Sequence, residues 1–312
     1  MNKVSVDYDL NYLLNAMNSI AGKMAMGMNI EVFDNYSVKE KETLIVLKDL
    51  YLNFTTMENA LEIIPLAIDV KIAKHLSSQI LEGLFPSFKK EIKYYNNKLY
   101  TNEALGFGGA VWWDLVDNKP IVREIHVGLP ITEATISTFN HERVHALFFA
   151  NVDMSKVGIN NLELLAILAG SMTGHYLKIV HQAPNVSLIT DYYRLKGIKR
   201  NLEKEESTKE MIISEVGIDE EDDIFHETNK IVYNYRNITA IDYLLSNCQA
   251  NVLFLRYLED EKLMCKKIEE VLKNEITIND LLTFYNVSLE NNEIIDLAND
   301  QINRIQKIRV IS

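Results

Sequence analysis

The chain has 312 residues, 47% of them hydrophobic, and carries a formal net charge of −12 at pH 7. The apolar content is sufficient for a sizeable core, and the negative charge argues against a phosphate-backbone partner, so we expect no nucleic-acid binding. No run of about 18 consecutive apolar residues occurs, so the sequence predicts no membrane span.

The cysteine content and the N-terminal pattern indicate the compartment. Cys248 and Cys265 are the two cysteines, and their spacing matches neither a CxxC motif nor a disulfide framework. Asp7 and Asp9 precede the first apolar stretch, which is not the pattern of a signal peptide. The sequence therefore predicts a cytoplasmic protein in a reducing environment.

Residues 1–88 are predicted to form a helical N-terminal region. Apolar side chains recur at three- and four-residue spacing over residues 9–28, which is typical of an amphipathic helix. Ser37 and Glu40 form a capping-box pattern at the start of a second helix. A third helix is predicted over residues 55–83, kinked or restarted at its proline and capped by its final glycine.

The pattern then changes from helix to strand, and a small antiparallel sheet is predicted. Asn96 and Asn97 have the composition of a tight turn between two hairpin strands. Residues 110–113 and 121–127 are predicted to form two further strands. We expect residues 106–113 to form the edge beside the next helix, where an extended peptide can add itself as another strand.

Residues 131–150 carry the pentapeptide His141-Glu142-Arg143-Val144-His145 in a stretch without glycine or proline. The stretch is predicted to be a helix with Thr132 as its N-cap. On a helix, His141 and His145 lie one turn apart on the same face, so both imidazoles can bind one metal ion. Zinc accepts neutral imidazole nitrogen, and HExxH is a sequence signature of zinc hydrolases.

Glu142 is the candidate catalytic residue of this motif. It lies about 100° around the helix from His141, where its carboxylate can flank the open position of a zinc site. There it can accept a proton from water activated by the metal. The motif therefore predicts one Zn²⁺ per chain, with Glu142 as the general base.

A second helix downstream is the expected source of a third ligand. Asn160 or Asn161 can cap it, and its interior has small residues at three- and four-residue spacing. Glu163 lies on this bare face, which permits close approach to another helix. The competing third ligands are Asp153, His175 and His181, and a site without a third protein ligand also stays open.

Residues 184–312 are predicted to form a helical C-terminal region. It begins with a helix over residues 187–205, followed by an exposed acidic connection over residues 204–223. The later helical patterns cover residues 224–236, 239–274, 278–285 and 288–309.

The motif and its surroundings resemble the zincin metallopeptidases. Glu163 follows His145 by eighteen residues, which is similar to the gluzincin branch, where a downstream helix supplies a glutamate ligand. The resemblance covers roughly residues 105–182, and it implies that zinc is bound by His141, His145 and Glu163. It also implies an oxyanion-stabilising Tyr or His further along, for which the candidates are Tyr176, Tyr192, Tyr193, His226 and Tyr233.

The chain departs from the gluzincin pattern at one position. Ile167 stands where many members carry an aspartate that orients the first histidine, so the orienting partner of His141 is unidentified. The metzincin pattern fits less well, because Phe148 and Asn151 stand where it requires glycine and histidine.

Together these patterns predict a mostly helical α+β protein, zincin-like at residues 89–183, with a small antiparallel sheet before the HExxH helix. The predicted function is zinc-dependent hydrolysis of peptide bonds in a peptide or protein substrate. One alternative is a non-catalytic helical binding or regulatory protein whose HExxH is accidental or degenerate. Another is a narrow-specificity protease that acts on one protein target.

Overall fold

The computed structural model describes residues 36–117, 119–153, 157, 163–215 and 223–311, with the backbone alone given for Leu115 and for residues 204–215 and 223–239. The first elements are α1 (Val38–Leu52), β1 (Leu61–Ile63), α2 (Val70–Leu84), α3 (Lys89–Asn96) and β2 (Leu99–Asn102). The central elements are β3 (Gly109–Val116), β4 (Lys119–Gly128), α4 (Thr135–Asn151) and α5 (Leu164–Val180). The last are α6 (Asn185–Glu215), α7 (Asp223–Glu259), α8 (Glu261–Leu272), α9 (Ile278–Phe284), α10 (Glu293–Ile305) and β5 (Ile308–Val310).

The order of the elements confirms a mostly helical α+β architecture with small sheets. β1 pairs in parallel with β5, which joins the start and the end of the described chain. The second sheet has the strand order β2-β4-β3 and immediately precedes α4. Its β3–β4 pair is antiparallel, as predicted, whereas β2 pairs with β4 in parallel. The sheet is therefore mixed and not wholly antiparallel.

The predicted hairpin at Asn96 and Asn97 is wrong. The segment before this turn is helix α3, which buries Ile92 and Tyr95 on one side. These two residues are three positions apart, so a helix places both against the core, whereas a strand would point them to opposite faces. Only the segment after the turn, β2, is a strand.

The N-terminal region agrees with the sequence in part. The Ser37 side chain accepts the backbone N–H of Glu40, and the capping box that starts α1 is present. The single helix predicted over residues 55–83 is wrong, because β1 and an irregular segment precede α2, whose N-cap is Asp69. Gly83 lies inside the last turn of α2 and does not cap it. The helix predicted over residues 9–28 lies outside the described residues.

The two helices that carry the motif residues begin later than predicted. The hydroxyl of Thr135 accepts the backbone N–H of Thr132 at 2.9 Å, and the helical hydrogen bonding of α4 starts only at Thr135. Thr132 is therefore not the N-cap. Helix α5 starts at Leu164, and both predicted caps, Asn160 and Asn161, lie outside the part of the chain that the structure describes.

Two helices of the C-terminal region are longer than the sequence predicts. Helix α6 extends to Glu215, so the first half of the predicted acidic connection is helical, and residues 216–222 lie outside the described range. Helix α7 runs through the predicted break between residues 236 and 239. The helix predicted over residues 239–274 is interrupted at Asp260, whose carboxylate caps α8 by accepting the N–H of Leu263 at 3.0 Å.

Helix α4 lies at the centre of the molecule. It packs against α2, α3, α5 and the β3–β4 pair, and Phe139 and Leu147 are fully buried. Arg143, on the side away from the two histidines, is fully buried as well and donates to Ser77 Oγ at 2.7 Å and to Asn96 Oδ1 at 2.5 Å. These contacts tie α4 to α2 and α3, which fixes the rotation of the motif about the helix axis.

The hydrophobic core crosses the boundaries of the three predicted regions. Leu47, Leu147 and Leu253 come from one region each, and all three belong to the same cluster of buried side chains. The division at residues 88 and 183 stays a prediction. Within the described residues, no helix is long and apolar enough to cross a membrane.

Candidate metal centre

Helices α4 and α5 approach closely because the facing side of α5 has small residues. A Cβ atom at Gly170 would lie 3.7 Å from the carbonyl oxygen of Ser137 and 3.9 Å from the Cβ of His141. Asn140 donates to Thr173 Oγ1 at 2.9 Å, a buried hydrogen bond that joins the two helices. The close approach brings Glu163, just before α5, to the histidine face of α4.

The side chains of His141, His145 and Glu163 converge on one point. His145 Nε2 lies 3.1 Å from His141 Nε2 and 3.3 Å from Glu163 Oε2, and His141 Nε2 lies 3.2 Å from the same oxygen. Ligand atoms around tetrahedral zinc, with bonds of about 2.0–2.1 Å, are about 3.3–3.4 Å apart. The three atoms therefore form a nearly equilateral triangle of the size that zinc requires.

The other candidate ligands lie elsewhere. The backbone of Asp153 donates to Asn274, on the loop after α8. His175 is 3.8 Å from a carboxylate oxygen of Glu261, and His181 lies at the C-terminal end of α5. Among the described residues, the group capable of holding a metal ion consists of His141, His145 and Glu163.

Glu142 lies beside this group and under the edge strand. Its Oε1 is 3.8 Å from His141 Nε2, and the residue is almost completely buried. A Cβ atom at Gly109, the first residue of β3, would lie 2.5 Å from both Cγ and Oε1 of Glu142. A side chain at position 109 would therefore displace the Glu142 carboxylate, and glycine leaves the carboxylate in place.

The glycine-rich segment before β3 is held against the end of β4. Gly128 donates its N–H to the carbonyl of Gly108 at 2.9 Å, and a Cβ atom at Gly128 would overlap the carbonyl oxygen of Gly106. Gly106 itself has a φ of 55°, in the region that favours glycine. This backbone packing fixes the position of Gly109 over Glu142.

The charges of the three side chains shift one another's pKa values. Burial opposes a charge on His145, but the Glu163 carboxylate outweighs it and raises the pKa of His145 to about 9. Burial likewise opposes the charge of Glu163, but both imidazoles together hold the pKa of its carboxyl well below the usual range. The Glu163 carboxylate is therefore ionised at neutral pH, whereas His145 must lose its proton before it can bind a metal ion.

Burial raises the pKa of Glu142 above its usual value, although His141 and His145 oppose the shift. A carboxylate with a raised pKa is a better proton acceptor at neutral pH than an exposed one. Asp242 on α7 is also buried, and its charge adds to the raised pKa of His145. Ile167, where the gluzincin pattern has aspartate, is fully buried among apolar residues.

A cleft of about 1110 Å³ opens over the group, and one of its walls is the edge strand. Gly109, Val111 and Trp113 of β3 line this wall. Among the described strands, none pairs with the outer edge of β3, which agrees with the edge predicted over residues 106–113. Trp113 and Phe149 form an apolar part of the lining, with ring centroids 5.9 Å apart.

Helix α6 forms the facing wall of the cleft. Its lining residues recur at helical spacing and comprise Thr190, Tyr193, Arg194, Lys196, Gly197, Lys199, Arg200, Asn201 and Glu203. Phe107, in the glycine-rich segment, stacks on Tyr193 with a centroid distance of 4.1 Å. This stack joins the two walls across the cleft.

Tyr243 of α7 also lines the cleft, and the sequence analysis missed it. Burial raises the pKa of its hydroxyl, the charges of Glu163 and Glu142 add to the shift, and those of Arg194 and Arg200 oppose it. Its ring passes 3.8 Å from the position of a Cβ atom at Gly197. No local pattern distinguishes this tyrosine, because it reaches the site only through the packing of α7 against α5 and α6.

The five predicted oxyanion candidates are placed differently. Tyr193 lines the cleft, whereas Tyr192 and Tyr176 do not. His226 and Tyr233 lie in the part of α7 whose side chains are outside the description.

The chain is similar in fold to solved peptidase structures. One, assigned as oligoendopeptidase F from Bacillus anthracis str. Ames, aligns with a TM-score of 0.62 and 12% identity over 88% of this chain and 57% of that chain. PZ peptidase A with an inhibitor aligns with a TM-score of 0.59 and 12% identity, over 88% of this chain and 59% of the peptidase chain. Another structure assigned as oligoendopeptidase F aligns with a TM-score of 0.60 and 13% identity, over 91% of this chain and 60% of that chain.

These likenesses confirm the predicted zincin-like α+β fold class. The chain spans less than two thirds of the length of each of these structures. No family model and no curated protein sequence matches the chain.

Proposed function

We propose that the protein is a zinc-dependent peptidase in which His141, His145 and Glu163 bind one zinc ion. The observation that carries the proposal is the triangle of two imidazole nitrogens and one carboxylate oxygen, with edges of 3.1 to 3.3 Å. Two histidines and a glutamate form a ligand set of catalytic zinc sites, in which the fourth position is open. The fold that the chain shares with oligoendopeptidase F and PZ peptidase A structures supports the same function.

Glu142 is proposed as the general base. When bound, zinc supplies Lewis-acid polarisation of a carbonyl oxygen and makes water sufficiently acidic to react near neutral pH. The buried carboxylate of Glu142 accepts the proton of the attacking water and returns it to the nitrogen of the leaving amine. Gly109 allows this carboxylate to remain beside the ligands while the edge of β3 passes directly over it.

Tyr243 is proposed as the donor that stabilises the oxyanion. Tyr243 lines the same cleft as Glu142 and Glu163, and the charges of both carboxylates add to the raised pKa of its hydroxyl. Because its pKa is raised, the hydroxyl keeps its proton at neutral pH and can donate it in a hydrogen bond. A preorganised donor is most effective where negative charge develops during the reaction.

The substrate is proposed to be a peptide in extended conformation. The outer edge of β3 offers backbone N–H and C=O groups to which a further strand can bond. A strand bound there lies beside β3 in the cleft, with successive side chains directed to opposite faces of the sheet.

The non-catalytic alternative takes two forms, an accidental HExxH motif or a degenerate site that has lost catalysis, and the structure bears on the first. An accidental motif explains neither a carboxylate from a distant segment that contacts both histidines nor a glycine that leaves space for Glu142. Glu163 and Gly109 supply both features. The enzyme is therefore better supported than an accidental motif, and the activity assay separates it from a degenerate site.

Zinc dependence provides the test of the function. We expect the zinc-loaded protein to cleave members of a mixed peptide library, with fragments identified by mass spectrometry. A chelator should abolish the cleavage, and added Zn²⁺ should restore it. Mg²⁺ should not, because it prefers an octahedral shell of oxygen ligands.

Other outcomes would contradict the proposal or favour one of its alternatives. Cleavage that persists after metal analysis has verified the removal of zinc would exclude the metal from the reaction. A fully zinc-loaded protein that cleaves no peptide of the library would contradict a general peptidase and favour a narrow-specificity protease that acts on one protein target. Absence of bound zinc, or an unfolding temperature that added zinc does not change, would favour the non-catalytic alternative.

A further inference from the structure

The wall of the cleft formed by α6 carries a concentration of positive charge in a protein whose net charge is −12. Four cations of this helix line the cleft, namely Arg194, Lys196, Lys199 and Arg200. The described acidic residues of the cleft lining are Glu142 and Glu163, which belong to the proposed metal site, and Glu203. The cationic wall is therefore a local feature that the overall composition does not predict.

Three of the four cations have partners within the protein. The guanidinium of Arg194 is 3.2 Å from Asp191 and donates to Ser171 Oγ at 3.2 Å. Lys199 donates to the carbonyl oxygen of Phe54 at 2.9 Å. Lys196 lies over the ring of Tyr192, 4.9 Å from its centroid. These contacts orient the three side chains and leave them less available to a ligand.

Arg200 has no hydrogen-bond or ion-pair partner among the described residues, and its side chain is exposed to the cleft. It occupies the same face of α6 as Tyr193 and Gly197, because these positions are separated by four and three residues. The effect of its charge on the pKa of Tyr243 also places it on the side of α6 that faces the proposed active site. A guanidinium in this position can bind a carboxylate with two parallel hydrogen bonds.

The position of Arg200 along the helix sets its distance from the bond that is cleaved. Arg194 lies close to the metal ligands, and Gly170 shows this. A Cβ atom at Gly170 would lie 3.7 Å from Arg194 Nη2 and 3.9 Å from the Cβ of His141. Arg200 follows Arg194 by six residues, which corresponds to about 9 Å along an α-helix. An extended peptide advances about 3.3 Å per residue, so for a peptide that runs parallel to α6 this separation corresponds to about two to three substrate residues.

We propose that Arg200 binds a carboxylate of the substrate about two to three residues from the scissile bond, so that the enzyme prefers peptides with an anionic group at this distance. This inference rests on the proposed peptidase function, since it takes a peptide that lies along β3 and runs parallel to α6. The carboxylate can be the side chain of Asp or Glu or the free C-terminus of a short peptide, because both present the same two oxygens.

The test uses pairs of short, alanine-rich peptides that differ by one group. In the first series a single Glu is moved through successive positions, and each peptide is compared with its Gln twin. In the second series peptides without Glu are compared as free acids and as C-terminal amides. Cleavage by the wild-type protein is measured as kcat/KM, and binding is measured by fluorescence anisotropy on zinc-loaded Glu142→Gln protein, which is expected to bind peptides without cleaving them.

We expect one Glu position to improve both kcat/KM and affinity by about tenfold over Gln, the size of one charge-assisted hydrogen bond at a partly exposed site. Arg200→Gln should remove this preference, and Arg200→Glu should favour the peptide in which Lys replaces Glu. Lys266→Glu makes the same change of charge on α8, outside the cleft lining, and should preserve the preference. A preference seen only between free acids and amides would assign the carboxylate to the C-terminus.

The outcomes separate this inference from the proposed function. Peptides that are cleaved with equal efficiency by wild type and both Arg200 variants would overturn the inference and leave the peptidase function intact. Peptides whose binding depends on Arg200 but which are never cleaved would support the carboxylate site and contradict the peptidase function.

Discussion

Replacing Glu142 with glutamine is expected to reduce peptide hydrolysis by about 10³-fold while the protein keeps its zinc. Gln has the shape of Glu, but its amide is not a base near neutral pH. The replacement therefore removes the proton acceptor and keeps the volume of the side chain. The side chain is buried under Gly109, where a residue of the same size causes no collision. The measurements are kcat/KM on a cleaved library peptide and zinc per chain by elemental analysis.

Glu133→Gln is the matched control for this experiment. Glu133 is a partly buried carboxylate just before α4 whose pKa is also raised by burial, but it does not line the cleft. Its replacement should leave both activity and metal content unchanged. Wild-type activity in Glu142→Gln protein with a full complement of zinc would show that Glu142 is not the base.

Replacing Tyr243 with phenylalanine is expected to lower kcat by about 10²–10³-fold with little change in KM, because an oxyanion donor acts mainly in the transition state. The hydroxyl is removed and the ring that packs on Gly197 remains, so the fold should not change. Steady-state kinetics on the same peptide, together with the thermal unfolding temperature, test this expectation.

Two other tyrosines make the experiment discriminating. Tyr192→Phe changes a buried residue outside the cleft lining and should preserve activity. Tyr193→Phe changes a residue that does line the cleft and stacks on Phe107. If the loss of kcat followed Tyr193→Phe while Tyr243→Phe retained wild-type kcat, the oxyanion role would belong to α6 and the assignment to Tyr243 would be wrong.

The part of the site that depends on local geometry could be predicted from the sequence. His141 and His145 lie on one face of α4 because the spacing of four residues is a property of any helix. The close approach of α5 to α4 could be predicted from the small residues of α5, and the contact at Gly170 agrees with it, whereas the choice of Glu163 over Asp153, His175 and His181 rests on the gluzincin resemblance and stays a prediction. In both cases the signal lies within a single helix.

The part of the site that depends on tertiary packing could not be predicted. Tyr243 comes from α7, eighty residues after Glu163, and no periodicity in α7 indicates which of its side chains enters the cleft. The role of glycine at position 109 likewise arises from a contact with Glu142 on another element. Sequence patterns report the neighbours along the chain, whereas these contacts are made by distant segments.

The errors in the predicted fold have related causes. Lys89–Asn96 has a short pattern that fits either a helix or a strand, and only its packing decides in favour of the helix. β1 is a strand of three residues whose partner, β5, is at the other end of the described chain. A strand this short depends on its partner for stability, so its own residues contain little information about it.

The metal content of the purified protein tests the central claim most directly. It should be measured by elemental analysis on wild type and on His141→Ala, Glu163→Ala and His175→Ala proteins prepared in parallel. We expect one zinc per chain in wild type, loss of zinc in the first two variants, and full retention in His175→Ala, because His175 lies beside Glu261 and away from the proposed ligands. Absence of zinc from the wild-type protein, or its full retention in Glu163→Ala, would contradict the proposed metal site.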